Sequence, residues 1–492
     1  MIFTAIKSLA KHTAIYSVGE LLGRAINVLL LPLYLRRLST EEMGVQTLAF
    51  VFVAFSAAFY SLGLNQALVR RLSGKDDPAV YRSAFSSVFW TLLGIALVLS
   101  ALMWMGAKPL ARIFLDAEAY KDIFQLLAVI IFLDTLSEPL FTLCRTRQRS
   151  ATYTIARFLQ YSLQMGLTVY LIVGLGHGVR AIFWSNVASS AFAFLMLLPV
   201  CLRNLRPVYA WGAVRQLLAF GLPFVPSALA ALVISLSDRF LVKFYLHIEA
   251  VGIYEAVYKF GLPMNLFIRA FRSAWAPALL AIPDAEEART VCARVTTYFA
   301  AGAVLFFLCV SVFSRELIML AAGSNASDYL SGQGVIPLII LSYALYGIYV
   351  ILTAGVYAEG RAKILPVIVG AGAGANIGMN LFLIPRIGFI AAAWSSLAAY
   401  GLMALLLYLS ARRFYPVPYE YKRLAKIGVA GAVVFLSASN YAHDTTPAGT
   451  VTRGIFLLGY PLLLWGWHFF EPQEWQYLRT VLRLSRRRSS KS

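Results

Sequence analysis

Glu20 and Arg24 lie one helical turn apart inside the first long apolar segment, residues 14–38. An ionised side chain at the centre of a membrane span costs about 2.5–3.5 kcal/mol on insertion scales, so it meets a partner or a watery cavity rather than lipid. The two can partner each other at i, i+4 spacing, or they can serve something that passes. Lys259, in the predicted span 250–274, reaches the same depth as Arg24 when counted from the opposite side. Two cations at one depth suit a shared central cavity. Arg269 and Arg272, at the inner end of that span, either extend this cationic surface or snorkel to the interface. Asp134 is deep in the predicted span 122–143 without an evident mate. With Glu20 it is a candidate proton or sodium site. Glu138 and Arg157 sit at similar depth on neighbouring spans and read as an ion pair joining two helices. Asp238, Arg239 and Lys243 fall at the outer end of the predicted span 214–237, where solvated loop charges are expected.

Nothing else in the chain has the spacing of a reactive centre. Cys144, Cys201, Cys292 and Cys309 are far apart, without a CxxC pair, and read as small apolar residues. The five histidines fall mostly at loops or span ends. No metal or cofactor site is expected, and no enzymatic activity.

The elements that must position these charges are membrane helices. Of 492 residues, 60% are hydrophobic and 13% charged, and the mean hydropathy is +0.72, outside the range of soluble domains. Hydropathy divides the chain into about 14 spans, making it an all-α polytopic membrane protein. The net charge of +20 would suggest nucleic acid in a soluble protein. Here the larger share of Lys and Arg falls in alternate loops and in the tail 476–492, which predicts cytoplasmic termini and no nucleic-acid partner. Connecting loops are short and leave no room for a soluble domain. Residues 284–294 read as an amphipathic link between spans, and 321–333 as a small outer loop.

An internal repeat organises the spans. Residues 178–190, GVRAIFWSNVASS, match 388–400, GFIAAAWSSLAAY, at an offset of 210; residues 35–46 resemble 243–254 at 208; and Arg149 corresponds to Arg361 at 212. The expected organisation is a six-helix bundle over 1–205, a second over 206–412, two further helices over 413–475 and the basic tail 476–492. An even number of spans per half relates the halves by a pseudo-two-fold axis along the membrane normal, a geometry suited to alternating access. At the repeat offset Glu20 and Arg24 face Ala228 and Leu232, so the scaffold does not require them. The spacing of Gly370, Gly374 and Gly378 predicts close approach of a neighbouring helix.

Four stretches carry a resemblance to a known family: LPLYLRRLSTEEMGVQTLAF (31–50), GLNQALVR (63–70), FRSAWAPAL (271–279) and YAEGRAKILP (357–366). With the two-times-six-plus-two plan, the chain resembles the Wzx-like polysaccharide flippases of the MOP superfamily, beside the lipid II flippases and MATE exporters. The resemblance implies a bacterial inner-membrane protein that turns an undecaprenyl-pyrophosphate-linked oligosaccharide from the cytoplasmic to the periplasmic leaflet, with membrane lipids and polysaccharide polymerase or assembly proteins as partners. It implies no cofactor; a proton or sodium gradient acting through Glu20 or Asp134 would drive it. An anionic pyrophosphate calls for a cationic cavity, the role implied for Arg24, Lys259, Arg269 and Arg272. The alternative within the superfamily is a MATE-type cation-coupled small-molecule or multidrug exporter, which the basic intramembrane character disfavours.

Overall fold

The computed structural model describes residue 26 and residues 28–72, 78–147, 149–441 and 446–471. Among these residues every regular element is a helix, and nine helices are long and apolar enough to cross a membrane. Large apolar side chains stand outward on them: Met105 is 82% exposed, Val367 71% and Leu195 61%. Lipid is the solvent that such surfaces require. The chain is a polytopic all-α membrane protein.

Local chemistry sets the helix limits. Ser39 and Glu42 form a reciprocal capping box, with Ser39 Oγ accepting from Glu42 N–H at 3.1 Å and Glu42 Oε2 from Ser39 N–H at 3.0 Å, which starts the helix Thr40–Ser61. Glu42 Oε1 also accepts from Val179 N–H at 3.0 Å, tying that start to the helix Arg180–Asn204. The predicted link 284–294 is instead the opening of a continuous helix, Ala285–Val312. Asp284 Oδ1 accepts from Glu286 N–H at 2.7 Å, and the acidic first turn complements the helix dipole, so the segment propagates rather than loops.

The described residues form two compact units. The first draws on Met1–Lys259, Met319–Gly332 and Asn376–Ala392; the second on Phe260–Ile318, Gln333–Ala375 and Ala393–Ser492. These units group residues by compactness, whereas the repeat halves are defined by sequence offset. Leu68, Phe85, Phe141, Leu197 and Leu217 share one core in the first; Leu308, Ile427, Val434, Tyr460 and Leu464 share one in the second.

The repeat is visible in three-dimensional detail. Arg149 precedes the helix Ser150–Val169 and Arg361 precedes Ala362–Ile364. Their backbone N–H groups donate to equivalent carbonyls, Cys144 at 2.8 Å and Val356 at 3.0 Å. Gly178 and Gly388 both hold positive φ, 54° and 73°, two residues before Arg180–Asn204 and Ile390–Ala411. Within the first unit Thr40–Ser61 crosses Ile248–Tyr258 at glycines that are repeat equivalents. A Cβ on Gly44 would lie 2.1 Å from the Ile248 carbonyl oxygen, and one on Gly252 would lie 1.9 Å from that of Thr40. Thr40 and Ile248 are themselves equivalent at the offset of 208. Each partner makes the other's contact, the signature of a two-fold axis through the crossing.

Two further expectations fail. A Cβ on Gly370, Gly374 or Gly378 would meet nothing within 4 Å, while one on Gly372 would meet Met403 Cγ at 2.5 Å; a two-residue step turns the contact about 200° around the helix. The predicted outer loop 321–333 is also mostly ordered into helical turns, Gly323–Asn325 and Ala326–Leu330. Those turns lie against the end of the helix Leu31–Arg37. Arg36 Nε donates to Ala321 O at 3.0 Å, Asn325 Nδ2 to Leu35 O at 3.3 Å and Tyr329 OH to Leu38 O at 3.4 Å. Burial pushes the Tyr329 hydroxyl above its ordinary pKa, so it stays a neutral donor.

Candidate functional site

Lys259 occupies a helix break. Ile248–Tyr258 gives way to a tight turn, Lys259–Gly261, before Leu262–Leu280 resumes. Pro263 explains the break, because it has no N–H to offer the Lys259 carbonyl four residues earlier and its ring would clash there. The equivalent helix in the other repeat carries Phe55 at that position and runs unbroken from Thr40 to Ser61. The Lys259 side chain is 7% exposed, with its ammonium 5.7 Å from the centre of the Tyr34 ring, within cation–π range. Among the described residues no carboxylate stands within ion-pair distance of it.

That isolation contrasts with the neighbouring charges of the first unit. Arg239, buried at 4% exposure, donates Nη1 to both oxygens of Asp238 at 2.8 Å. Its Nε and Nη2 reach Glu255 Oε2 at 3.1 and 2.9 Å, and Tyr254 OH donates to Asp238 Oδ2 at 2.8 Å. The guanidinium lies 4.2 Å from the centre of the Tyr258 ring. Asp238 and Arg239, expected as solvated loop charges, are therefore interior. Hydropathy sees two charges and ends the span, but the Glu255 partner sixteen residues on lets the helix continue to Tyr245. Lys243 is also held, by Asp116 Oδ1 at 2.8 Å and Ile113 O at 2.7 Å.

A separate cavity of about 680 Å³ in the first unit is lined by Asn65, Gln66, Asp134, Thr135, Glu138 and Arg145, among others. Asp134 Oδ1 accepts from Ser190 Oγ at 2.7 Å, the mate that the sequence did not reveal. The structure brings Glu138 and Arg157 together as an ion pair. Arg157 also donates Nη1 to Gln160 Oε1 at 3.2 Å, with its guanidinium 3.6 Å from the centre of the Phe141 ring. Among the described residues no His, Cys, Asp and Glu cluster could hold a metal ion.

Arg269 and Arg272 belong to the second unit, on Leu262–Leu280. Both are exposed; Arg269 Nε donates to Asn265 Oδ1 at 2.6 Å and Arg272 Nη1 to Tyr346 OH at 3.2 Å. Glu20 and Arg24 lie outside the described residues, as does most of the first predicted span. Arg453, which falls just before the last span that hydropathy predicts, 454–470, is inside a helix, Pro447–Gly466. It is 1% exposed and pairs with Glu316. A lone arginine at a span edge carries no sign of so distant a partner.

The profile of the polysaccharide biosynthesis protein family matches residues 35–330. The chain is 24% identical over 267 residues to the succinoglycan biosynthesis transport protein ExoT of Rhizobium meliloti (strain 1021), covering 54% of this chain and 52% of that one. It thus spans about half the length of that curated relative. It is 20% identical over 437 residues to the probable low-salt glycan biosynthesis flippase Agl15 of Haloferax volcanii, covering 87% and 88% of the two chains. Among solved structures, the fold is similar to the lipid II flippase MurJ in an inward closed conformation, at a TM-score of 0.72 and 14% identity over 92% of this chain and 98% of that one. It is also similar to an inward-facing multidrug resistance MATE family transporter of the MOP superfamily, at 0.63 and 15% identity over 83% and 96%.

Proposed function

Because the chain belongs to the polysaccharide biosynthesis protein family, we propose that it is a flippase that carries a polyprenyl-pyrophosphate-linked oligosaccharide across the bacterial inner membrane for surface polysaccharide export. The flippase named among its relatives, matched over 87% of this chain, supports the reading. Both termini lie on the cytoplasmic side, following the distribution of Lys and Arg.

Lys259 carries the proposal. Among the described residues its buried ammonium has no carboxylate partner, an arrangement that is costly, and an anionic cargo supplies a counter-charge during transit. Arg24 is the second cation of that site in this reading, Arg269 and Arg272 guide the pyrophosphate from the inner end, and proton or sodium coupling runs through Glu20 or Asp134. The helix break lets Lys259 act where an unbroken helix would hold it rigid, a device common to membrane transport sites.

Translocation of a fluorescent lipid-linked oligosaccharide in proteoliposomes tests this. Lys259→Gln should lower the rate roughly 10- to 100-fold, the worth of a charge-assisted hydrogen bond of about 1.5–3 kcal/mol, and Lys259→Arg should retain part of it. Wild-type translocation by correctly inserted Lys259→Gln protein would remove Lys259 from the path.

A further inference from the structure

A second cavity, of about 410 Å³, lies between two short helices of the first unit, Leu64–Leu72 and Trp211–Gly221. Its walls have two chemistries. Arg70, Arg71 and Gln216 supply hydrogen-bond donors, while Ala67, Ala213, Leu217 and Phe220 supply apolar surface. No carboxylate lines it, and among the described residues neither arginine has one within ion-pair distance. The Arg70 guanidinium lies over an aromatic surface, 4.3 Å from the centre of the Phe220 ring. Stacking of this kind holds the fork in place and leaves its N–H edge free.

The walls are fixed. A Cβ on Gly63 would lie 2.1 Å from the Gly221 carbonyl oxygen, so the turn that opens the first helix touches the end of the second backbone to backbone. Gly63 has φ of 68°, a conformation in which a side chain would be strained. The segment leading into the second helix is tethered as well: Arg206 N–H donates to Ser86 Oγ at 2.8 Å and Ala210 N–H to Ser87 Oγ at 3.1 Å. Beside it Tyr209 and Trp211, 50% and 63% exposed, stack at 6.3 Å, the amphipathic aromatic pairing of a membrane–water boundary.

The geometry points to a binding site for a membrane-anchored phosphate, with its headgroup between Arg70, Arg71 and Gln216 and the start of its hydrocarbon chain along Leu217 and Phe220. Bare inorganic phosphate would leave the apolar wall unused, and a neutral lipid would offer the two guanidiniums no anion. The inference is independent of Lys259 and of the transport reading, since it concerns binding at a different pair of helices. Two sources share the chemistry, bulk anionic phospholipid and a polyprenyl pyrophosphate, and basic pockets between membrane helices are suited to such headgroups.

The test counts lipids bound to the purified full-length chain by native mass spectrometry, titrating phosphatidylglycerol, phosphatidylcholine and undecaprenyl pyrophosphate separately. Wild type should bind at least one anionic lipid about tenfold more tightly than phosphatidylcholine, and Arg70→Gln/Arg71→Gln should abolish that preference. Phe220→Leu, which keeps the apolar wall but removes the stacking surface, should weaken it by a smaller factor and covers the case in which the double variant does not fold. Preference for phosphatidylglycerol assigns the site to bulk lipid, and preference for undecaprenyl pyrophosphate assigns it to that carrier. Equal binding of all three lipids, or a preference unchanged in both variants, overturns the proposal.

Discussion

Replacing Gly44 by alanine puts a Cβ 2.1 Å from the Ile248 carbonyl oxygen, and replacing Gly252 puts one 1.9 Å from that of Thr40. Both oxygens belong to backbone, so neither can swing away; the helices must part by roughly 1.3 to 1.5 Å to reach ordinary contact at 3.4 Å. A gap of that size forfeits about half of the dispersion attraction across the crossing, and overpacking of this kind costs about 1–3 kcal/mol. Each variant should therefore lose about 2–3 kcal/mol, roughly 30- to 150-fold in the folded-to-unfolded ratio. Because the contact is reciprocal, one separation accommodates both methyl groups. The double variant should lose little more than either single one, a coupling of about 2–3 kcal/mol between residues 208 apart in sequence. Gly302→Ala, where a Cβ would meet nothing within 4 Å, is the control and should be silent or slightly stabilising. Denaturant titration in mixed micelles measures all four. Additive losses, or a silent Gly44→Ala, would refute the two-fold crossing.

Arg239→Met leaves Asp238 and Glu255 buried without their shared cation, and removing one partner of such a network costs about 3–5 kcal/mol. Thermal unfolding in detergent should show a sharp loss, and adding Asp238→Asn and Glu255→Gln to Arg239→Met should recover part of it. Arg453→Met should likewise strip Glu316 of its partner and loosen the helix Pro447–Gly466, read as faster amide hydrogen exchange along that helix, whereas Arg413→Met, at an exposed position, should leave exchange there unchanged.

The parts of this fold that were legible in sequence are those with local causes. Apolar runs mark the helices, and the offsets of 208–212 mark the duplicated plan. Gly178 and Gly388 show the limit of that legibility: their alignment predicts equivalence, and the structure adds the shared positive φ that gives it a cause. Asp238 and Arg239 read from sequence as solvated charges because burial of charge depends on partners such as Glu255, which lies on another helix. The same holds for Ser190 beside Asp134. Gly44 and Gly252 stood within aligned segments, yet no property of either segment says that the two copies touch.

The reciprocal crossing of Thr40 and Gly44 with Ile248 and Gly252 is the interface of a symmetric homodimer drawn into a single polypeptide. In a homodimer every residue exists twice, so a lysine near the axis would face its own copy and the two ammoniums would repel. One continuous chain removes that constraint. Lys259 has Val51 at the equivalent place, Arg239 has Leu31, and Glu255 has Thr47. A scaffold that is two-fold in its backbone thereby holds an electric field that is not, and a polar difference between its halves can be inherited and refined without disturbing the contact that joins them.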